Sequence, residues 1–188
     1  MKKLLLIYLG AAAILINTGC LKSNPYAEDF STTQPVADIP KAPANAVAVA
    51  TAPTNSWFIL DSTAAGVDYA TAVHLSAKDH VGDVTLRMKI DKNAANTWIT
   101  NHSTAGYALI PDSLYTVKSL DVTVPNAGVF STGDFIVHIN SGARDAATTR
   151  STFKTHKYIL PVTIESAAGG QYTVASNFQT VLWYIRVK

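Results

Sequence analysis

Apolar and polar residues alternate one by one through much of the chain after residue 47, and this period of two constrains the fold more than any other feature. In the segment 84–90, Val84, Leu86, Met88 and Ile90 fall on one side, and the residues between them are polar. Successive side chains of a β-strand point to opposite faces of its sheet, so this pattern is typical of a strand with one buried face.

The same alternation predicts several more strands. It recurs in 119–124, 135–140, 158–164 and 181–188, and more weakly in 47–50, 57–60, 69–77, 107–110 and 172–175. Glycine and proline turns separate these segments, and only 92–100 predicts a helix, of about two turns with Asn93 as its N-cap. Many short strands and no crossover helices predict an all-β fold, an antiparallel β-sandwich with one short helical turn.

Pro161 interrupts the apolar pattern of segment 158–164. Because proline has no backbone N–H to donate to a neighbouring strand, its presence predicts that this strand lies at a sheet edge or carries a bulge.

The first 20 residues are typical of an exported bacterial lipoprotein. Lys2 and Lys3 precede an uncharged, mostly apolar run at 4–16, which is shorter than the roughly 20 residues of a transmembrane helix. The pair Gly19-Cys20 then resembles a lipobox, the sequence at which bacterial lipoproteins are cleaved and acylated. We therefore expect Cys20, the single cysteine, to carry a lipid.

These features predict three parts: a signal peptide at 1–19, a flexible tether at 20–45 and a β-sandwich domain at 46–188. The tether prediction rests on several prolines among small and polar residues without an apolar period. The lipid on Cys20 would place the protein in the cell envelope, as an outer-membrane lipoprotein. Acidic residues directly after the lipidated cysteine would indicate display on the outside of the cell. Glu28 and Asp29 stand too far from Cys20 to be such a signal, so the sequence leaves surface exposure open.

Charge argues against a nucleic-acid partner. Of the 15 Lys and Arg residues, Lys2 and Lys3 belong to the leader, which leaves 13 to balance the 13 Asp and Glu residues. A protein that binds phosphates needs a basic field, and a near-neutral domain does not provide one.

Five segments carry a further signal when they are taken in order. They are an alternating strand at 84–91, a Tyr-Ala-Leu-Ile-Pro step at 107–111 with Tyr115 after it, a strand ending in a glycine turn at 122–128, Tyr-Ile-Leu-Pro-Val-Thr-Ile at 158–164 and a closing strand at 182–188. Together they resemble a domain-of-unknown-function family from the N-terminus of lipoproteins of glycan-degrading Gram-negative gut anaerobes. The resemblance implies an immunoglobulin-like sandwich, often placed ahead of family 18 glycosidases or lectin-like domains.

The residue types that carry catalysis or bind metals form no recognisable motif. The five histidines are scattered, at 74, 80, 102, 138 and 156, and a Gly-x-Ser-x-Gly elbow is absent from the sequence. We therefore expect no catalytic residues, no metal site and no cofactor, and we interpret the protein as non-enzymatic.

Aromatic residues offer the best candidate for a ligand site. Sugars bind by stacking on Trp or Tyr while a few polar groups fix their orientation. Trp98 stands in a polar segment, 96–102, and Tyr107 follows shortly after it. The sequence leaves two roles open for Trp98: a cap that packs on one end of the sandwich, or a platform for a carbohydrate with Tyr107 beside it.

Two functions follow from these features. The first is an accessory glycan-binding or surface-adhesion module of a polysaccharide-utilisation system, with the membrane and carbohydrate as its partners. The second is a structural, scaffold or pilus-like subunit that acts through contacts with other cell-surface proteins. An exposed Trp98 would favour the first, and a long uncovered edge strand would favour the second.

Overall fold

The alternating segments form the strands of two sheets in the computed structural model of the chain. The structure describes residues 35–42, 47, 54–60 (backbone only), 63–77, 82–127, 131–168 and 172–187. All of them belong to the compact unit Gln34–Lys188. The predicted signal peptide, and Cys20 with it, lies outside the described residues.

The first sheet has five strands. In spatial order they are β10 (Thr173–Val174), β1 (Val36–Asp38), β3 (Val67–Ser76), β8 (Ser131–Ile139) and β6 (Tyr115–Val117). The second sheet has the order β2 (Thr54–Leu60), β11 (Thr180–Val187), β9 (Lys157–Ala168), β4 (Gly82–Ile90) and β7 (Asp121–Ala127), and the short β5 (Tyr107–Leu109) pairs with the start of β9.

Short α-helices accompany the strands, α1 (Lys92–Asn101) and α2 (Thr152–Thr155), together with 3-10 turns at Ser103–Ala105 and Asp112–Leu114. The predicted all-β sandwich is therefore confirmed. Three of the described strand pairs are parallel, β1 with β10, β2 with β11 and β5 with β9, and the other pairs are antiparallel as predicted.

The core lies between the sheets and is built from the predicted inward residues. On β8 the buried side chains are Phe135, Val137 and Ile139, and they share one cluster with Leu86 and Met88 of the facing sheet. Burial of these side chains drives the two sheets together, at roughly 1.5–3 kcal/mol for each large apolar side chain.

Strand β9 is buried on both of its faces along Tyr158–Ile164. One face looks into the core between the sheets, whereas Ile159 on the opposite face packs with Leu182, Ala95 and Trp98. Helix α1 therefore forms a third layer over this part of the second sheet.

Pro161 lies in a central strand, so the prediction of an edge strand is wrong. The alternative, a bulge at Pro161, is wrong as well, because the register of β9 shifts between Ile164 and Ser166 instead. On one side β9 pairs with β11 from Tyr158 to Thr163, a stretch that includes Pro161. On its other side β9 pairs with β5 up to Ile159 and with β4 from Val162 onward. Pro161 stands in the gap between these two partners, where a missing N–H leaves no ladder hydrogen bond unmade.

The tether predicted over 20–45 does not include residues 35–42. Ala37 and Ile39 are buried in the core, and strand β1 lies between β3 and β10. A three-residue strand is too short to display a period of two, which is why the sequence pattern missed it; β6 was missed for the same reason.

Candidate functional site

Helix α1 begins with a side-chain cap from Asp91. The backbone N–H of Ala94 donates to Asp91 Oδ1 at 3.1 Å, so the predicted cap at Asn93 is wrong by two residues. Carboxylate and amide oxygens both satisfy the free N–H groups of a first turn, and the sequence offers both here. Asn93 is instead exposed on the outer side of the helix.

Ion-paired contacts tie the start of α1 to the first sheet. Lys92 Nζ lies 2.6 Å from Asp112 Oδ2, and the Tyr115 hydroxyl donates to Asp112 Oδ1 at 2.8 Å. The Lys92 hydrogen bond, followed by the Tyr115 hydrogen bond, lowers the pKa of the Asp112 carboxyl. Burial and the Asp112 carboxylate raise the pKa of Tyr115 to about 12, so this hydroxyl remains a donor at neutral pH.

Trp98 fastens the middle of α1 to the second sheet. Its side chain is 0% exposed and packs with Ala95, Ile159 and Leu182. A ring with no accessible face cannot stack on a sugar, so the hypothesis that Trp98 is a binding platform is wrong. The alternative left open by the sequence was a cap on one end of the sandwich; the structure shows Trp98 packed, but between α1 and the outer face of the second sheet.

Tyr107 is the part of the predicted site that reaches the surface. Its ring meets Trp98 edge to face at 5.5 Å between centroids and meets Tyr184 edge to face at 5.1 Å. The rings of Tyr107 and Tyr184 are each half-buried. Trp98 therefore supports Tyr107 from below, and the two tyrosines form the accessible edge of the aromatic cluster.

His102 closes the cluster at the end of α1. Its ring stacks on Trp98 at 4.3 Å, and its Nδ1 lies 2.9 Å from the Trp98 carbonyl oxygen. A carbonyl can only accept, so Nδ1 carries the hydrogen, and in the neutral ring Nε2 is left as an acceptor.

Lys157 lies beside the tyrosines at the start of β9. Its Nζ is 5.3 Å from the centroid of the Tyr107 ring and donates to the Ala105 carbonyl at 3.1 Å. Burial raises the pKa of the Tyr107 hydroxyl, and the neighbouring Tyr184 raises it further. At neutral pH the Tyr107 hydroxyl is therefore a neutral donor and acceptor.

The outer side of α1 carries a stripe of uncharged polar side chains, hereafter the polar stripe. Its members border a shallow surface depression and are Asn93, Asn96, Thr97, Thr100 and Asn101. They recur at helical spacing on the side opposite Ala95 and Trp98. Four of these five residues lie in the polar segment 96–102 that the sequence analysis singled out around Trp98, and the structure adds Asn93.

The remaining histidines within the described residues have local partners on separate elements. His74 lies 3.4 Å from Asp38, His138 lies 2.8 Å from Asp68, and His156 stacks on Tyr158 at 5.3 Å. In the part of the chain that the structure describes, no three His, Cys, Asp or Glu side chains converge as metal ligands. His80 lies outside the described residues.

A family comparison adds to this geometry. The sequence model of a protein family described as a "-like, N-terminal domain" matches residues 43–171, more than two thirds of the chain. The chain belongs to this family. The resemblance seen in the five sequence segments is thereby confirmed at the level of the family. A search of curated proteins finds no match.

Solved structures of Bacteroides proteins resemble the chain. A two-domain protein of unknown function from Bacteroides fragilis NCTC 9343 is 8% identical with a TM-score of 0.50, over 89% of this chain and 51% of that one. EndoBT-3987 from Bacteroides thetaiotamicron, solved with a Man5GlcNAc product, is 20% identical with a TM-score of 0.45, over 65% and 27%.

A third structure, from Bacteroides ovatus ATCC 8483, is a protein provisionally named as carbohydrate-binding. It is 10% identical with a TM-score of 0.49, over 70% of this chain and 34% of that one. The chain thus spans between about a quarter and about half of the length of these three proteins. The Bacteroides fragilis structure, with a TM-score of 0.50, shows a shared fold, and a shared fold does not by itself transfer a function.

The described helices also bear on how the chain could meet a membrane. None of them has the length and apolar character needed to cross a bilayer.

Proposed function

We propose that this protein is a non-enzymatic accessory lipoprotein that binds glycan through the layer formed by α1 and β5. The observation that carries the proposal is the polar stripe on a helix that is fixed at both its start and its middle. Lys92 holds the start through Asp112, and Trp98 holds the middle through the second sheet. Groups on a rigid support lose little freedom when they bind a ligand.

The chemistry of the stripe suits saccharide hydroxyl groups. An Asn amide supplies two donors and one acceptor oxygen, and a Thr hydroxyl both donates and accepts. Between Asn93 and Asn101 the helix rises by about 12 Å, at roughly 1.5 Å per residue. The half-buried Tyr107 and Tyr184 rings add aromatic surface next to the end of the helix that carries Asn101.

Family membership supports the accessory role. Related domains stand at the N-terminus of larger proteins, and the comparison proteins include EndoBT-3987 and a protein provisionally named as carbohydrate-binding. In this proposal the lipid on Cys20 holds the domain at the outer membrane and the domain retains glycan near the cell. Replacing Cys20 with Ser tests the anchor, since the protein should then leave the membrane fraction.

The scaffold alternative is disfavoured at two sheet edges, whereas the seven-residue β2, at the other end of the second sheet, has the length that strand addition needs. Strand β7, at the end of the second sheet, has Pro125 within it, and a proline has no N–H for an added strand. Strand β6, at the end of the first sheet, is three residues long. Both features disfavour strand addition at these edges.

A glycan array followed by titration calorimetry tests the proposal on the full chain purified in detergent. We expect weak binding, with a Kd of about 1 mM, near −4 kcal/mol. The double variant Asn96→Ala, Thr97→Ala should lower the affinity roughly tenfold, by removing about two hydrogen bonds. The matched control is Thr116→Ala, Asn140→Ala, which removes the same groups from exposed positions outside α1.

Thermal melts of both double variants establish that they are folded. If the array shows no binding, the glycan proposal fails and the scaffold function becomes the better one. If binding survives unchanged in the folded α1 variant, the polar stripe is not the site.

A further inference from the structure

No acidic side chain among the described residues pairs with the charge of Lys157. Its Nζ contacts the Ala105 carbonyl at 3.1 Å and the face of the Tyr107 ring, and no carboxylate of a described residue lies within ion-pair distance. An ammonium has three N–H donors, and the carbonyl occupies one of them. The ammonium therefore retains donors that the carbonyl does not use, and the Lys157 side chain is exposed at the edge of the aromatic cluster.

Lysines elsewhere on the sheets and on α1 are neutralised. Lys89 lies 3.3 Å from Asp91, Lys92 lies 2.6 Å from Asp112, and Lys118 pairs with Asp68. Lys157 differs from these three in being held in place by a carbonyl and a ring, neither of which carries a formal charge. A positioned cation of this kind is a ready partner for an anionic group on a ligand.

The adjacent tyrosine offers the other contacts that a sugar needs. The Tyr107 hydroxyl makes no hydrogen bond to any described residue, and its ring is half-buried against Trp98 and Tyr184. Residues Tyr107 and Lys157 are direct partners in the register of β5 and β9, so both side chains belong to one spot on the surface. One saccharide unit can therefore contact the ring, the hydroxyl and the ammonium together.

We propose that this spot binds an acidic saccharide, with its carboxylate or sulfate group on Lys157 and its ring against Tyr107. The inference rests on the proposed glycan-binding function and adds the class of glycan. The polar stripe would bind neighbouring hydroxyl groups of the same oligosaccharide, while Lys157 selects for an anionic unit.

Three probes of equal length separate the chemistries: galactotriose, tri-galacturonate and a sulfated galactotriose. Each is titrated into the full chain and into the Lys157→Gln and Lys154→Gln variants. Lys154 is an exposed lysine on α2, so its variant loses the same charge from another place. We expect at least one acidic trisaccharide to bind the unmodified chain about five- to tenfold more tightly than galactotriose.

That preference should disappear in Lys157→Gln, persist in Lys154→Gln and weaken as salt is added. Comparison of the two acidic probes shows whether the group is a carboxylate or a sulfate. Equal binding of neutral and acidic probes overturns the acidic class while the glycan function stands. A preference that survives in Lys157→Gln overturns the role of Lys157, and failure of all three probes together with an empty array overturns the glycan function itself.

Discussion

Asp68 is the centre of a small charge cluster on the outer face of the first sheet. Lys118 Nζ binds its Oδ2, and His138 Nδ1 lies 2.8 Å from its Oδ1. Two hydrogen bonds lower the pKa of this carboxyl below its ordinary value of 3.8. The one from Lys118 is the largest cause, and the one from His138 is the second. The cluster adds side-chain contacts to the backbone pairing of β8 with β3 and β6.

The sign of the pH dependence follows from that shift. A carboxyl whose pKa is lower in the folded state stabilises the fold above its unfolded pKa, and this contribution is lost as the pH falls through the folded pKa. Replacing Lys118 with Met should therefore raise the pKa of Asp68 toward 3.8 and reduce the loss of stability in acid. Carboxyl ¹³C NMR titration measures the shift, with Lys92→Met as a control that should move Asp112 instead. An Asp68 titration unchanged in Lys118→Met would contradict the assigned cause.

At single positions the sequence left open whether Trp98 packs against the sandwich or binds a ligand beside Tyr107, and the structure shows it packed. Residue type does not reveal which way a side chain points, and a tryptophan between polar neighbours can face either solvent or a sheet. The helical spacing of Ala95, Trp98, Ile99 and His102 was a usable signal, since these four positions share one face. Lys157 and Tyr107 are in contact although they are 50 positions apart in the sequence, so the local sequence pattern could not predict this contact.

Among the elements, α1 has the largest effect on the candidate site, because it both covers the second sheet and displays the polar stripe. It covers the side chains of Ile159 and Leu182, which lie on the outer face of the second sheet. The strands with one buried face were predicted well because alternation reports that geometry directly. The position of strand β9 within its sheet was harder to predict. A strand buried on both faces shows a continuous apolar run, and its partner strands come from distant parts of the chain.

Replacing Trp98 with Ala should destabilise the protein by about 3–5 kcal/mol, through lost burial and the cavity that remains. The neighbouring variant Thr97→Ala is the control, because Thr97 is exposed and a surface change is usually within about 0.5 kcal/mol. Urea denaturation measures both. Amide hydrogen exchange adds the local effect, and faster exchange confined to α1 and β5 would show that this layer loosens before the sandwich unfolds. Equal stabilities for the two variants would mean that Trp98 does not hold the helix.

For the whole molecule, the placement of residues 35–42 changes where the domain begins. The chain enters the first sheet at β1, where Ala37 pairs with Leu75 on one side and with Val174 on the other. Ile39 continues this contact beyond the strand, its N–H donating to the Phe178 carbonyl at 3.0 Å. A domain boundary at residue 46, as the local sequence pattern predicts, therefore leaves out core residues. The pattern could not show this, because β1 pairs with β3 and β10, which lie far along the chain.

A chain that begins at Gln34 should fold cooperatively, and one that begins at Ala46 should be less stable by about 3–4 kcal/mol. The shorter chain lacks the buried side chains of Ile39, Ala37 and Ala42, and burial of an isoleucine contributes about 1.5–3 kcal/mol with about 0.8 kcal/mol more for each methyl group. Thermal and urea unfolding of the two chains measure the difference. Ile39→Ala in the longer chain should reproduce part of the loss, whereas the exposed Lys41→Ala should not. Two chains of equal stability would show that β1 adds nothing to the sandwich, and the tether would then extend to residue 45 as the sequence pattern predicted.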